Sequence, residues 1–430
     1  MRRLLQFLIL SALVTSTLSA QLFQARVVTS AYAWQRQDTV GRSSDHLFGH
    51  TSLSLSLTGG DLSFHAYGNG FTDLSGPVAE ESKYRLYNLY LKWSNIFDVA
   101  NVSVGRQLVF AGVGNGTIDG GLASLKFLDS RLKVVGYYGA LPPPGSKAEM
   151  IGDKSNNRMA GAQVVAEPLE AARVSVSYMN RTIQAEPYSA YRRDSLFNPY
   201  LVEIKPMASS ERYLSGDVNV DYEDLVSGYA RYDYDFDTEK MARAQFFTRV
   251  KVMESLGLTG EYLQREPRIS YNSIFSVFTF NTLKEYEVGA EYALMTSWQL
   301  FGKYGSVDYG DGESSDRVTL GVSGKYVSVS LARNVGYAGE LSAASAQVSY
   351  PLMEARLTPS LLLSYAKYKL SESASKLEDA LSAAIGVAFR PVPALGLDTQ
   401  VQWIQNTIYQ SDVRFFVRGS FLVSERLNIF

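Results

Sequence analysis

Residues 211–237 read ERYLSGDVNVDYEDLVSGYARYDYDFD, and this stretch decides the fold. Apolar and polar side chains alternate along its first half, where Asp217 and Asp221 enclose a Val-Asn-Val triplet. A short acidic turn follows, and the alternation resumes at Val226 and continues to the end of the stretch. Since side chains of a β-strand point to opposite faces in turn, the stretch predicts an antiparallel hairpin with one apolar and one polar face.

The same period of two continues along the chain from residue 22 to the C-terminal region. The alternating segments are about ten to fourteen residues long, the length that a tilted strand needs to span a bilayer. Short turns, such as 58–61 and 222–225, alternate with longer polar loops. Because unpaired backbone groups are costly in lipid, the sheet must close on itself. We therefore expect residues 21–430 to be all-β and to form a single closed antiparallel transmembrane β-barrel of about 22 strands (20 to 22), with no plug domain.

The composition excludes several classes of protein. The 430-residue chain has no Cys and three His, which leaves no disulfide framework and little basis for a metal or cofactor site. A formal net charge of −2 provides no basic surface for nucleic acid. We therefore expect no cofactor, no metal and no nucleic-acid partner, and we expect outer-membrane lipid around the barrel.

The first twenty residues have the pattern of an export signal. Arg2 and Arg3 precede an apolar run over residues 4–14, and a Leu-Ser-Ala tripeptide ends at Ala20. The run is about eleven residues long, whereas a membrane-spanning helix needs about twenty. We expect residues 1–20 to be a cleaved signal peptide that exports the chain toward the bacterial outer membrane.

The polar face of the alternating strands carries both signs of charge. By alternation, the lumen is lined by Arg173, Arg181, Asp217, Asp221, Arg231, Asp233, Asp235, Arg243, Arg249, Lys251, Glu285, Glu287, Glu291, Arg414 and Arg418. Acidic residues gather on 211–237 and 285–291, and basic residues gather on 243–251. Two interpretations stay open: a transverse field that orients dipolar solutes, or cross-strand ion pairs that line a wet wall.

The sharpest local pattern is VSVGRQ at residues 102–107, followed by Gly112, Gly114 and an Asp-Gly pair at 119–120. A Val-x-Val-Gly-Arg-Gln strand that leads into a Gly-rich loop resembles the bacterial outer-membrane porin superfamily. The chain also ends in Phe430, and a terminal aromatic residue is common in such barrels. The resemblance implies a porin-like barrel and does not identify a subfamily.

One residue of this pattern conflicts with the alternation. Strict alternation places Arg106 on the lipid face, where a charge costs about 2–4 kcal/mol at mid-bilayer. Two arrangements avoid this cost: Gly105 marks a bulge that turns Arg106 inward, or Arg106 lies at headgroup depth. We favour the bulge, because glycine in a strand often marks one.

A barrel of this width needs something to narrow or to fill its lumen. The longest loop, residues 184–211, is the candidate constriction, because Arg and Tyr side chains suit contacts with polar solutes. Its candidate residues are Tyr188, Tyr191, Arg192, Arg193, Asp194 and Tyr200. The alternative for this segment is a surface loop folded over the rim. The second candidate is the loop 266–282, which is rich in Phe.

Together these features predict a porin-like outer-membrane channel for the passive diffusion of small hydrophilic solutes. The alternative is a wide barrel that acts as a sheath or scaffold for a lumen-filling protein partner, such as a multihaem cytochrome or a lipoprotein. An enzyme is not expected, because no Ser or acid is marked out by its spacing beside His50 and His65.

Overall fold

The computed structural model describes residues 21–76, 84–142, 156–184, 187–267, 281–310, 312–369 and 375–427. The expected signal peptide 1–20, the terminal Phe430 and residues 268–280 of the second candidate loop lie outside these ranges. The regular secondary structure within the ranges consists of β-strands. No helix among these residues is both long and apolar enough to cross a membrane.

Within the described ranges, twenty-four strands follow one another along the chain. Their bounds are β1 Gln21–Asp38, β2 Ser43–Gly59, β3 Leu62–Asp73, β4 Tyr84–Ile96, β5 Ala100–Ala111, β6 Gly114–Phe127, β7 Leu132–Ala140, β8 Arg158–Leu169, β9 Ala172–Ile183, β10 Tyr188–Arg193, β11 Pro199–Ile204, β12 Ser209–Tyr222, β13 Val226–Asp235, β14 Lys240–Met253, β15 Leu256–Arg265, β16 Leu283–Met295, β17 Trp298–Asp308, β18 Ser314–Gly324, β19 Val327–Gly336, β20 Glu340–Ser349, β21 Leu357–Lys369, β22 Glu378–Val392, β23 Leu395–Gln405 and β24 Tyr409–Leu427.

Twenty-two of these strands form one closed barrel. Strand β1 pairs antiparallel with both β2 and β24, and this pairing closes the sheet. Strand β9 pairs directly with β12, while β10 and β11 form a separate two-stranded hairpin between them. The prediction of a single closed antiparallel barrel with about 22 strands is therefore confirmed.

The two faces of the barrel wall differ in polarity, as the alternation of the sequence requires. On the outer face, the side chains of Leu53, Val288 and Phe415 are 43%, 60% and 45% exposed. On the inner face, charged residues meet across strands, as Arg418 meets Asp398 at 2.7 Å. Because the outer apolar side chains have no second layer of protein to pack against, this surface suits hydrocarbon rather than water.

The two ends of the barrel carry different connections. Gln21 of β1 pairs with Leu427 of β24, so the first and last strands begin and end at the same end of the barrel. We call this end the turn end, because short turns such as 60–61 and 254–255 join the strands there. The opposite end, the loop end, carries longer connections, including the one that contains β10 and β11.

Candidate functional site

The hairpin of β5 and β6 leaves the barrel wall before it reaches the loop end. Pairing between β4 and β5 stops at Leu89 with Arg106, and pairing between β6 and β7 stops at Asp119 with Ala140. Strands β5 and β6 nevertheless stay paired with each other as far as their turn. Residues 107–118 therefore form a hairpin that has separated from both neighbouring strands, and we call it the inner hairpin.

The inner hairpin lies inside the lumen. The backbone N–H of Val113, at its tip, donates a hydrogen bond of 2.9 Å to the hydroxyl oxygen of Ser177. Ser177 belongs to β9, on the face opposite the exposed Val174 and Val176, and β7 and β8 separate β9 from β6 in the sheet. A bond that passes over two strands requires the hairpin to lie across the inner surface of the wall.

Apolar packing holds the inner hairpin in this position. Val109, Ala111 and Ile118 of the hairpin are fully buried. They join a cluster with residues of β7, β8 and β9, namely Val135, Tyr137, Met159 and Met179. Burial of a Val or Ile side chain contributes about 1.5–3 kcal/mol, so these contacts outweigh the single hydrogen bond at the tip.

Two glycines that face each other across the ladder allow the hairpin to bend. Gly105 of β5 pairs with Gly120 of β6. A Cβ at Gly105 would overlap the carbonyl oxygen of Leu89, and a Cβ at Gly120 would overlap that of Tyr138. Gly105 also has a φ of 130°, which residues with a side chain rarely adopt. Both strands thus bend where only glycine fits.

An ion pair closes the bend. The guanidinium group of Arg106 donates from Nε and Nη2 to the two carboxylate oxygens of Asp119, at 2.6 and 2.7 Å. Nη1 donates to the carbonyl oxygen of Leu86 on β4, at 3.1 Å. The two charged side chains are only 1% and 4% exposed, so this pair is shielded from both lipid and water. Such bidentate pairs have fixed geometry, and they hold both strands of the hairpin together.

The structure thereby resolves the position of Arg106. The alternation of its neighbours would place it among the exposed Val104 and Leu108, which are 61% and 46% exposed. It is buried instead, because the hairpin turns inward at Gly105. The ladders show no register shift at Gly105, so the expected bulge, in the sense of an extra residue, is not what turns the side chain.

The predicted lumen residues share one face of the sheet. Cross-strand pairs link them along the wall; for example, Asp217 lies opposite Arg231, and Asp233 opposite Arg243. This face is the one opposite the exposed apolar side chains. The period of two places these residues together without any information from distant parts of the chain.

Most of these charges are neutralised by close partners. Arg231 contacts Asp233 at 2.8 Å, and Arg249 contacts Glu291 at 3.0 Å. Further contacts join Arg181 to Glu211, Lys303 to Glu287, Arg317 to Glu285 and Glu287, Arg414 to Asp412, and Arg418 to Asp398. Local pairing of this kind favours a wet wall of ion pairs over separate bands of charge that would produce a transverse field.

Five predicted lumen residues line two recesses near the turn end. Asp221 and Lys251 line a recess of about 450 Å³ together with Arg249 and Glu291. Arg173 lines a second recess of about 530 Å³, which Asp221 also borders. Both signs of charge therefore remain accessible to a solute at this end of the lumen.

The loop predicted to constrict the lumen forms a two-stranded sheet separate from the barrel sheet. Its residues 188–204 form the β10–β11 hairpin, and Tyr188, Tyr191, Arg192, Arg193, Asp194 and Tyr200 are all exposed. Backbone N–H groups of Asn198 and Leu196 donate to the Asp194 carboxylate and lower its pKa. The constriction by residues 184–211 stays a prediction, and the described segment that packs against the lumen face of the wall is the inner hairpin.

The inner hairpin escaped sequence analysis for a physical reason. Residues 108–111 read Leu-Val-Phe-Ala, and an apolar run of only four residues does not tell whether a strand stays in the wall or packs against another surface. The available signal was the symmetric placement of Gly105-Arg106 and Asp119-Gly120. This placement combines two glycines, which allow the backbone to bend, with two side chains of opposite charge.

Comparison with known proteins supports the fold. No protein-family model matches the sequence, and no curated protein matches it. The siderophore receptor PirA from Acinetobacter baumannii aligns with a TM-score of 0.56 and 11% identity, over 95% of this chain and 81% of that chain. The translocation pore of the P pilus usher PapC aligns with a TM-score of 0.52 and 8% identity, over 93% of this chain and 99% of that chain. The chain shares the fold of a large closed β-barrel with these two proteins. A BenF-like porin from Pseudomonas fluorescens also aligns, with a TM-score of 0.43, 10% identity and coverage of 94% of this chain and 99% of that chain.

Proposed function

We propose that this protein is a porin-like channel of the bacterial outer membrane, through which small hydrophilic solutes diffuse passively. The observation that carries the proposal is the inner hairpin, residues 107–118, packed against the lumen face of β7–β9. A barrel of 22 strands encloses a lumen far wider than its wall side chains can fill. A hairpin across part of that lumen reduces the aperture and sets a size limit.

The chemistry of the wall supports hydrophilic solutes. The paired side chains of Arg249, Arg317 and Arg418 remain 51%, 42% and 45% exposed to the lumen. Such half-exposed ion pairs keep the wall hydrated and exchange partners at low cost. Because positive and negative groups are paired along the wall, we expect weak ion selectivity and passage of neutral and zwitterionic solutes. We also propose that residues 1–20 are a cleaved signal peptide that exports the chain to the outer membrane.

The alternative is a sheath around a lumen-filling protein, such as a multihaem cytochrome or a lipoprotein. The inner hairpin counts against it, because its buried contacts occupy part of the lumen that such a partner would need. A sheath would also be silent in a conductance measurement without its partner, so the same experiment separates the two functions.

The test compares unit conductance in planar bilayers for the full chain and two shortened variants. In the first, an Asn-Gly turn replaces residues 108–117 and joins Gln107 to Ile118, which already face each other in the ladder. In the matched control, an Asn-Gly turn replaces residues 189–203 and joins Tyr188 to Ile204, which are also paired. We expect higher conductance and a larger solute size limit for the first variant only.

Two results would contradict the proposal. Absence of steady conductance steps from the reconstituted full chain would exclude a passive channel. Equal conductance of the full chain and the variant that lacks the inner hairpin would show that this hairpin does not limit the aperture.

A further inference from the structure

The wall of the barrel is low at β5. Only Ala100–Arg106 of β5, seven residues, lies in the wall, because pairing with β4 ends at Arg106. With a rise of about 3.4 Å per residue and a tilt of about 40°, this segment reaches roughly 18 Å along the barrel axis. The apolar band of outer-membrane barrels is about 25 Å tall. The wall at β5 therefore ends within the band.

Strand β4 extends beyond the point where β5 turns away. Its pairing with β3 continues to Tyr84, whereas its pairing with β5 stops at Leu89. Within the described part of the chain, residues 84–88 have no ladder partner on β5, and all of them except Tyr87 pair with β3. Arg106 reaches this edge and donates to the carbonyl oxygen of Leu86. Among the described residues, the side chain of Arg106 therefore lies at the lower border of a gap between β4 and the inner hairpin.

Large apolar side chains lie beside this gap, together with the polar Thr117 and Asn115 that pair with Leu108 and Phe110. Leu108 and Phe110 lie on the side of the inner hairpin that faces away from β7–β9, and they are 46% and 73% exposed. Tyr84 on β4 is 60% exposed. Exposed apolar groups of this size are unfavourable against water, and they indicate contact with another apolar surface.

An apolar groove on the outside of the barrel meets the same edge. It has a volume of about 370 Å³, and its lining includes Leu53, Leu55, Ala66, Gly68, Tyr84 and Leu86. Tyr84 and Leu86 thus belong both to this groove and to the strand that borders the gap. From the lipid side inward, the apolar groove is followed by the gap and then by the face of the inner hairpin that carries Leu108 and Phe110.

The geometry points to a lateral opening in the barrel wall between β4 and the inner hairpin, through which acyl chains of bilayer lipid contact Leu108 and Phe110. The occupant is lipid, because the gap lies within the height of the apolar band and its largest exposed side chains, Leu108, Phe110 and Tyr84, are apolar or aromatic. A molecule with both a polar and an apolar part would then have a route from the lumen into the membrane. This inference does not require the channel to conduct.

Site-directed spin labelling tests the opening, and the natural chain has no Cys that would react. Phe110→Cys carries a nitroxide in phosphatidylcholine bilayers, and its relaxation is measured with oxygen and with a water-soluble nickel complex. Phe415→Cys on the outer face and Gln400→Cys on the lumen face are the matched controls. We expect the ratio of oxygen to nickel accessibility at residue 110 to rise several-fold above that at residue 400 and to approach that at residue 415.

Leu108→Cys, on the same side of the hairpin as Phe110, gives an independent measurement if one variant fails to fold. Ratios at both positions equal to that at residue 400 would overturn the opening and leave the channel proposal intact. Conversely, an oxygen-to-nickel accessibility ratio close to that at residue 415, found in a protein that shows no conductance, would support the lateral opening and contradict the channel proposal.

Discussion

The ion pair between Arg106 and Asp119 should decide whether the inner hairpin stays docked. In Asp119→Ala, the guanidinium group of Arg106 loses its two bonds of 2.6 and 2.7 Å to the Asp119 carboxylate and stays buried. Loss of one partner from a buried pair costs about 3–5 kcal/mol. At about 1.4 kcal/mol per factor of ten, this cost changes the docking equilibrium by about two to nearly four orders of magnitude.

This cost is comparable to the free energy that stabilises the docked position of the inner hairpin. Burial of Val109 and Ile118 contributes about 3–6 kcal/mol in total, and the Val113–Ser177 hydrogen bond adds about 1 kcal/mol. The docked and released hairpins should therefore become comparably populated in Asp119→Ala. Single-channel recordings should show switching between the wild-type level and a higher one, with the mean conductance raised.

Two controls separate burial of the pair from charge alone. Glu291→Ala breaks the exposed pair with Arg249, which is worth less than about 1 kcal/mol, and should leave the recordings steady. The double variant Arg106→Met/Asp119→Leu removes both charges and should recover much of the steadiness, because apolar replacements of a buried pair are often neutral. Steady conductance in Asp119→Ala, as in Glu291→Ala, would show that the Arg106–Asp119 pair does not control docking. Equal switching in the double and single variants would show that the buried unpaired charge is not the cause.

Three further predictions concern the hinge, the tip and the wall. Gly105→Ala should sharply reduce the yield of folded barrel on gel mobility, because its Cβ would meet backbone, whereas Gly216→Ala has open space and should fold normally. Ser177→Ala removes the bond at the hairpin tip and should raise the released fraction about five-fold, read from dwell times in single-channel records. Glu287→Gln removes the negative charge that Lys303 and Arg317 share. The reversal potential in a low-salt gradient should therefore shift toward anion selectivity. An unchanged potential would exclude this position from the ion path.

The closed barrel could be predicted because its determinants are local. The alternation in β12 and β13 assigns Asp217 and Asp233 to one face and Val218 to the other, whatever the rest of the chain does. The pattern repeats in strands long enough to span a bilayer. Because an open sheet edge is costly in lipid, such strands are expected to form a closed barrel. The strand number follows from the same alternation of segments and turns.

The constriction could not be predicted in the same way. The exposed β10–β11 hairpin had the length and the Arg and Tyr content expected of a constricting loop, yet its candidate residues lie exposed outside the barrel sheet. The apolar run at residues 108–111 of the inner hairpin is too short to distinguish a wall strand from a packed one, and Arg106 looked misplaced only while its strand was assumed to be straight. Its real position depends on the partners that residues 86 and 119 supply.

The sequence by itself thus determined a cylinder with a wet inside and an apolar outside, because period-two alternation and strand length act through each strand and its immediate neighbours. The tertiary structure alone decided which hairpin leaves the wall and enters the lumen. That choice depends on packing between β5–β6 and β9, strands separated by two others, and on the burial of one ion pair at a glycine bend. Such energies arise only when distant segments meet, and no local pattern records them.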